Sequence, residues 1–179
     1  VPASRFTWTL ILHHCWQYDP SNCHTHTVQS WTGISSGSFV APDHEYPAWL
    51  ELQLTVTDSG GLTDTKSIRL DPLTADVNFN SSPSGLQLVV GSSGSTAPFT
   101  RTLILNSTTA MSAPTPQTLN GQSYAFSSWS DGGAQSHNLV INGAGTFTAT
   151  YSQVVPTTKF PSAAVIVTAS SRAQEPPPM

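Results

Sequence analysis

The chain has 179 residues, enough for one large domain or two small ones. Only 9% of its residues are charged, and the formal net charge is -4 with the six basic residues scattered singly. This pattern excludes nucleic acid and an anionic membrane surface as partners. No apolar run reaches the length of a membrane-spanning helix, and the many hydroxyl-bearing and turn residues are typical of secreted all-β proteins.

The first predicted strand covers residues 6–13, FTWTLILH. Its alternation places Phe6, Trp8, Leu10 and Leu12 on one face and the intervening side chains on the other. One face of this strand is therefore expected to be core, with Trp8 buried in it.

Residues 12–26, LHHCWQYDPSNCHTH, hold both cysteines and four of the six histidines. The spacing of Cys15 and Cys23, without a CxxC pair, suits a disulfide that closes a short loop in an oxidising compartment. In this interpretation the loop is structural, and its histidines form hydrogen bonds or face solvent.

The alternative for the same stretch is a transition-metal site. His13, His14, His24 and His26 supply imidazoles, which suit zinc or copper. His24 and His26 are two residues apart, so on a strand they would share a face and could chelate. If the cysteines are oxidised, the metal would depend on the histidines alone.

A β-hairpin is predicted from residues 50–58, LELQLTVTD, through the turn residues SGG to a return strand at 63–70. Asp58 and Asp64 flank this turn. Their carboxylates could hold calcium at the corner of a β-sandwich, but aspartate is also a common turn residue that bonds its own backbone. Both interpretations stay open.

A second all-β module is predicted after residue 73, because short alternating runs recur between clusters of Gly, Ser, Asn and Pro. The predicted strands are 75–79, 86–90, 99–105, 123–128, 138–141 and 146–151. Residues 153–179 are rich in proline and predict a linker or tail, with one further strand at 163–168.

Residues 44–46, HEY, followed by LELQLTVTD and SGGLTD, resemble the C-terminal half of a PKD domain, an immunoglobulin-like β-sandwich of secreted bacterial proteins. Together with FTWTLILHHC, they resemble the PKD-type module appended to glucose/sorbosone-type sugar dehydrogenases. Residues 74–152 resemble an internalin-B-type repeat, most clearly in FSSWSDGG. The resemblance implies two small β-sandwich-like modules in tandem, 1–73 and 74–152, the first lacking its initial strands.

Aromatic residues crowd the first module. Trp16, Tyr18 and Trp31 are the candidates for glycan contact, since tryptophans on loops can stack on sugar rings. Trp129 in the SSWSDGG stretch is instead predicted to cover the core of the second module.

No nucleophile elbow, zinc-protease motif or phosphate-binding loop is present, so we expect no enzymatic activity and no obligatory cofactor. The predicted function is a non-catalytic accessory region of a secreted bacterial carbohydrate-active protein. It would serve as a spacer and as a surface for a polysaccharide, a cell-surface glycan or a protein, with a catalytic domain upstream in the parent chain. The alternatives are a small metalloprotein or metalloenzyme built on the histidines, with copper or zinc, and a strand-donating fibre or adhesin subunit.

Overall fold

The computed structural model describes residues 1–15 and 21–155, and its fold is all-β, as the alternating patterns predict. Within those residues the only helical element is a single 3-10 turn at Ala3–Arg5. No helix in the described part is long and apolar enough to span a bilayer. The predicted strand at 163–168 and the aromatic candidates Trp16 and Tyr18 lie outside the described residues.

The first sheet contains four antiparallel strands in the order β2-β1-β3-β4. These strands are β1 Phe6–Cys15, β2 Cys23–Thr32, β3 Ala48–Thr57 and β4 Thr63–Leu70. The predicted first strand and the predicted hairpin across the SGG turn are confirmed. Strand β2 was not predicted, because most of its residues are polar and show no apolar alternation.

One face of the first sheet is apolar, because the register aligns leucines across neighbouring strands. Leu10 lies opposite Leu52, and Leu12 lies opposite Leu50. Leu10 and Leu12 are buried, whereas Ile68 on β4 keeps 57% of its surface exposed. Among the described residues, the second layer over this face is the loop 33–47, so the face is only partly covered.

Residues 74–153 form two further sheets. A five-stranded sheet has the order β10-β11-β13-β5-β8, and a four-stranded sheet has the order β12-β9-β6-β7. Their strands are β5 Thr74–Ser82, β6 Gln87–Val90, β7 Ser93–Thr96, β8 Phe99–Ile104, β9 Thr108–Ser112, β10 Gln117–Leu119, β11 Gln122–Trp129, β12 Ser136–Val140 and β13 Gly145–Gln153. The six predicted strands correspond to β5, β6, β8, β11, β12 and β13.

Side chains from both of these sheets meet in one buried cluster, which includes Phe79, Leu88, Met111 and Tyr151. Trp129 is 3% exposed within the cluster, and its indole nitrogen donates a hydrogen bond to the Gln135 carbonyl at 3.1 Å. The prediction that this tryptophan covers a core is therefore confirmed. The boundary near residue 73 stays a prediction.

Candidate functional site

Three of the predicted histidines converge on one face of the first sheet. His14 on β1 pairs directly with His24 on β2, and His26 pairs with Leu12, so all three side chains leave the same face. One ring nitrogen from each of the three residues lies within 4.8 Å of those from the other two. The ring centroid of His14 is 4.0 Å from that of His24 and 5.1 Å from that of His26. We call these three residues the histidine cluster.

His13 is not brought to the cluster, because adjacent residues of a strand point to opposite faces. Its ring stacks on Trp49 with centroids 3.6 Å apart, and its Nε2 donates to the Glu51 carboxylate at 2.8 Å. Hydrogen bonds from Gln53, then Ser67 and His13, lower the pKa of Glu51. His13 thus belongs to a polar network on the opposite face.

A fourth imidazole, His44, was not among the predicted ligands but lies beside the histidine cluster. It comes from the loop 33–47, and its ring centroid is 4.3 Å from that of His14. Its Nδ1 is 3.0 Å from the Glu45 carbonyl oxygen, which can only accept, so Nδ1 carries the proton.

The surroundings of His14 disfavour a positive charge on its ring. Burial lowers the pKa of His14, and the neighbouring imidazoles His44, His24 and His26 lower it further. Its Nε2 is buried and has no hydrogen-bond partner within the described residues. A buried nitrogen without a partner is uncommon in folded proteins and calls for an explanation.

The predicted disulfide between Cys15 and Cys23 is present and joins the ends of β1 and β2. It lies one register position from the pair of His14 and His24. Because both sulfur atoms are in the disulfide, neither cysteine offers a thiolate to a metal. The donors of the cluster are therefore nitrogens.

The carboxylates next to His44 are occupied by contacts with the rest of the fold. Asp43 accepts a hydrogen bond from the Thr108 amide at 3.1 Å, and Glu45 accepts one from the Ser92 hydroxyl at 2.9 Å. These contacts link the loop 33–47 to residues of the second part of the chain. They give the two carboxylates a structural role.

An aromatic cavity of about 310 Å³ lies at the other end of the same face of the first sheet. Its walls include Trp8 and Trp31, which pair across β1 and β2, and Phe39 from the loop. The serine-rich segment 35–38 also lines it, and none of the lining side chains in the described part of the chain is charged. Trp31, a predicted glycan contact, is thus placed in a cavity.

Trp8 differs from its prediction in one respect. It shares the face of Leu10 as predicted, but it is half-buried and lines the aromatic cavity. Its indole nitrogen donates to the Ile34 carbonyl at 3.1 Å, which anchors the loop over the sheet. The difference arises because the covering layer is a loop, which leaves a gap above the two indoles.

The acidic candidates lie in the β3–β4 hairpin. The Asp58 carboxylate accepts hydrogen bonds from the Gly60 amide at 2.7 Å and the Leu62 amide at 2.9 Å, as a turn residue does. Asp64 lies 3.7 Å from Lys66 with both side chains exposed. Among the described residues, the histidine cluster is the one group that brings three metal-capable donors together.

Comparison with protein-family models, curated proteins and solved structures finds no match for this chain. The resemblances to a PKD-type module and to an internalin-B-type repeat therefore stay predictions. The function is inferred from the chemistry of the two sites on the first sheet.

Proposed function

We propose that this chain is a non-catalytic accessory region of a secreted bacterial carbohydrate-active protein, and that its first sheet binds a neutral glycan. The observation that carries this proposal is the aromatic cavity, with Trp8, Trp31 and Phe39 in its walls. The remaining strands act as a rigid spacer that presents this surface, since functional contacts are commonly made by loops held on a stable scaffold.

The chemistry of the cavity suits a sugar ring. Indole faces pack against the apolar C–H faces of sugars, while the hydroxyls of Ser35, Ser36 and Ser38 can exchange hydrogen bonds with sugar hydroxyls. The absence of a charged side chain from the lining favours a neutral ligand over an acidic one. A volume of about 310 Å³ lies at the small end of ligand sites, so the cavity fits a single ring of a chain that continues into solvent.

The surroundings support a role in binding. Asp43 and Glu45 accept hydrogen bonds from Thr108 and Ser92, so these carboxylates help to hold the loop 33–47 in place. The Cys15–Cys23 disulfide is in keeping with an oxidising, extracellular setting.

Affinity electrophoresis of the full chain through gels that contain neutral polysaccharides tests the proposal. We expect one polysaccharide class to retard the chain and Trp31→Ala to abolish the retardation. Trp49→Ala is the matched control, because Trp49 stacks on His13 on the opposite face of the sheet and should leave binding intact. Equal retardation of the wild type and Trp31→Ala, or turnover of a sugar by the isolated chain, would contradict the proposal.

A further inference from the structure

The histidine cluster lies on the same face as the aromatic cavity but takes no part in it. Strand β1 contributes His14, and the exposed edge strand β2 contributes His24 and His26. Three imidazoles that converge from two neighbouring strands are an arrangement that transition-metal sites use.

We propose that His14, His24 and His26 form a binding site for one divalent transition-metal ion of the imidazole-preferring class, zinc or copper. The proposal rests on two observations: one ring nitrogen of each histidine lies within 4.8 Å of those of the other two, and the buried Nε2 of His14 has no hydrogen-bond partner among the described residues. A metal ion would give that nitrogen the partner that the described protein residues do not provide.

The donor set selects the metal class. Neutral imidazole suits zinc and copper, whereas calcium and magnesium require oxygen ligands. The cysteines are disulfide-bonded, and Asp43 and Glu45 already accept hydrogen bonds from other parts of the fold. Among the described residues, the metal-capable donors that lie together are the three imidazoles, so the proposed ligands are nitrogens.

Binding a metal ion would require only a small movement of the three imidazoles. Two imidazole nitrogens bound to one zinc ion at about 2.0–2.1 Å in a tetrahedral site lie roughly 3.3 Å apart. His24 and His26 are exposed, so rotation of their side chains can close the remaining gap without moving the backbone. His14 is half-buried and stays in place, which makes it the anchor of the site.

His44 supports the site from the loop side. The hydrogen bond between its Nδ1 and the Glu45 carbonyl oxygen fixes the orientation of its ring. Its ring packs against His14 at 4.3 Å and limits how that ring can turn. We assign it as a positioning residue of the metal site.

Isothermal titration of the full chain, after treatment with a chelator, tests the site with zinc chloride and copper chloride in separate experiments. We expect one equivalent of metal to bind, and His24→Ala and His26→Ala to weaken the affinity by more than about 100-fold, which exceeds the usual effect of losing an outer-shell partner. His44→Ala should weaken it by about 10-fold. For copper, electron paramagnetic resonance should show coupling to nitrogen nuclei, which a purely structural role would not produce.

His13→Ala is the matched control, since His13 neighbours His14 in sequence but contacts Trp49 and Glu51 on the other face. It should bind metal as the wild type does. Binding of neither metal, binding unchanged in His24→Ala, or equal loss in His13→Ala would overturn the assignment. Because Trp31→Ala should keep full metal affinity, failure of the metal site and failure of the glycan proposal can be told apart.

Discussion

His14 and His24 lie directly opposite each other across β1 and β2, and the Cys15–Cys23 disulfide closes the ladder at the next register position. The covalent bond therefore holds the ends of the two strands that carry the histidine cluster. Since β2 is an exposed edge strand, its end depends on this bond more than an interior strand would. In the proposed metal site, the disulfide would therefore help to hold the imidazoles in position, as outer-shell groups do for metal ligands.

The double variant Cys15→Ser/Cys23→Ser tests this positioning role. All four imidazoles remain in it, but the ends of β1 and β2 can separate. We expect the affinity for zinc or copper to fall by about 10-fold, as on loss of an outer-shell partner. The free energy of unfolding should fall by about 2 kcal/mol, since the ring that is opened is short. Titration calorimetry and urea denaturation measure the two quantities, and undiminished metal affinity in the variant would contradict the positioning role.

The two tryptophans Trp129 and Trp31 should respond differently to truncation. Trp129 is 3% exposed and its indole nitrogen is hydrogen bonded, so Trp129→Ala should lower the free energy of unfolding by about 3–5 kcal/mol. Trp31 is half-buried beside an open cavity, and its truncation should cost about 1 kcal/mol. Urea denaturation followed by circular dichroism compares them. A larger loss for Trp31→Ala would mean that the aromatic cavity is part of a core.

The ionisation of Tyr151 should make the free energy of unfolding depend on pH in the alkaline range. Burial raises the pKa of Tyr151 to about 12, although a hydrogen bond from Gln117 at 2.9 Å acts in the opposite direction. Because the folded-state pKa exceeds the unfolded value of 10.0, the neutral phenol contributes stability that is fully present below pH 10 and is lost as the pH rises through 12.

Spectrophotometric titration of tyrosinate checks this behaviour. The chain has four tyrosines, and we expect one of them to ionise late, near the onset of alkaline unfolding. Tyr151→Phe should remove this step at high pH. A late step that persists in Tyr151→Phe would assign the raised pKa to another tyrosine.

The alternating strands were predictable because the alternation of apolar and polar side chains is visible within a short stretch of sequence. The run LELQLTVTD of β3 and its return strand β4 follow directly from side chains that alternate between core and solvent. Strand β2, CHTHTVQSWT, was missed because it is an edge strand exposed along nearly its whole length, so burial imposes no alternation on it. Strand β10 was missed because its three residues are too few to show an alternation.

The candidate sites were predictable only in part. The two-residue spacing of His24 and His26 indicated a shared face if they lay on a strand, and the structure places both on β2 with His14 opposite. His44 could not be found in this way, because its approach depends on how the loop 33–47 crosses the sheet. The face of Trp8 followed from alternation, but its exposure depends on the layer above it, which local sequence does not encode.

The central claim, that the aromatic cavity of the first sheet binds a neutral sugar, is tested most directly by nuclear magnetic resonance. The full ¹⁵N-labelled chain would be titrated with neutral oligosaccharides while the indole N–H signals are followed. We predict that the signals of Trp8 and Trp31 shift with saturation, while that of Trp129, buried in the other core, stays fixed. Shifts absent from Trp31, or equal shifts at all three indoles, would contradict the account.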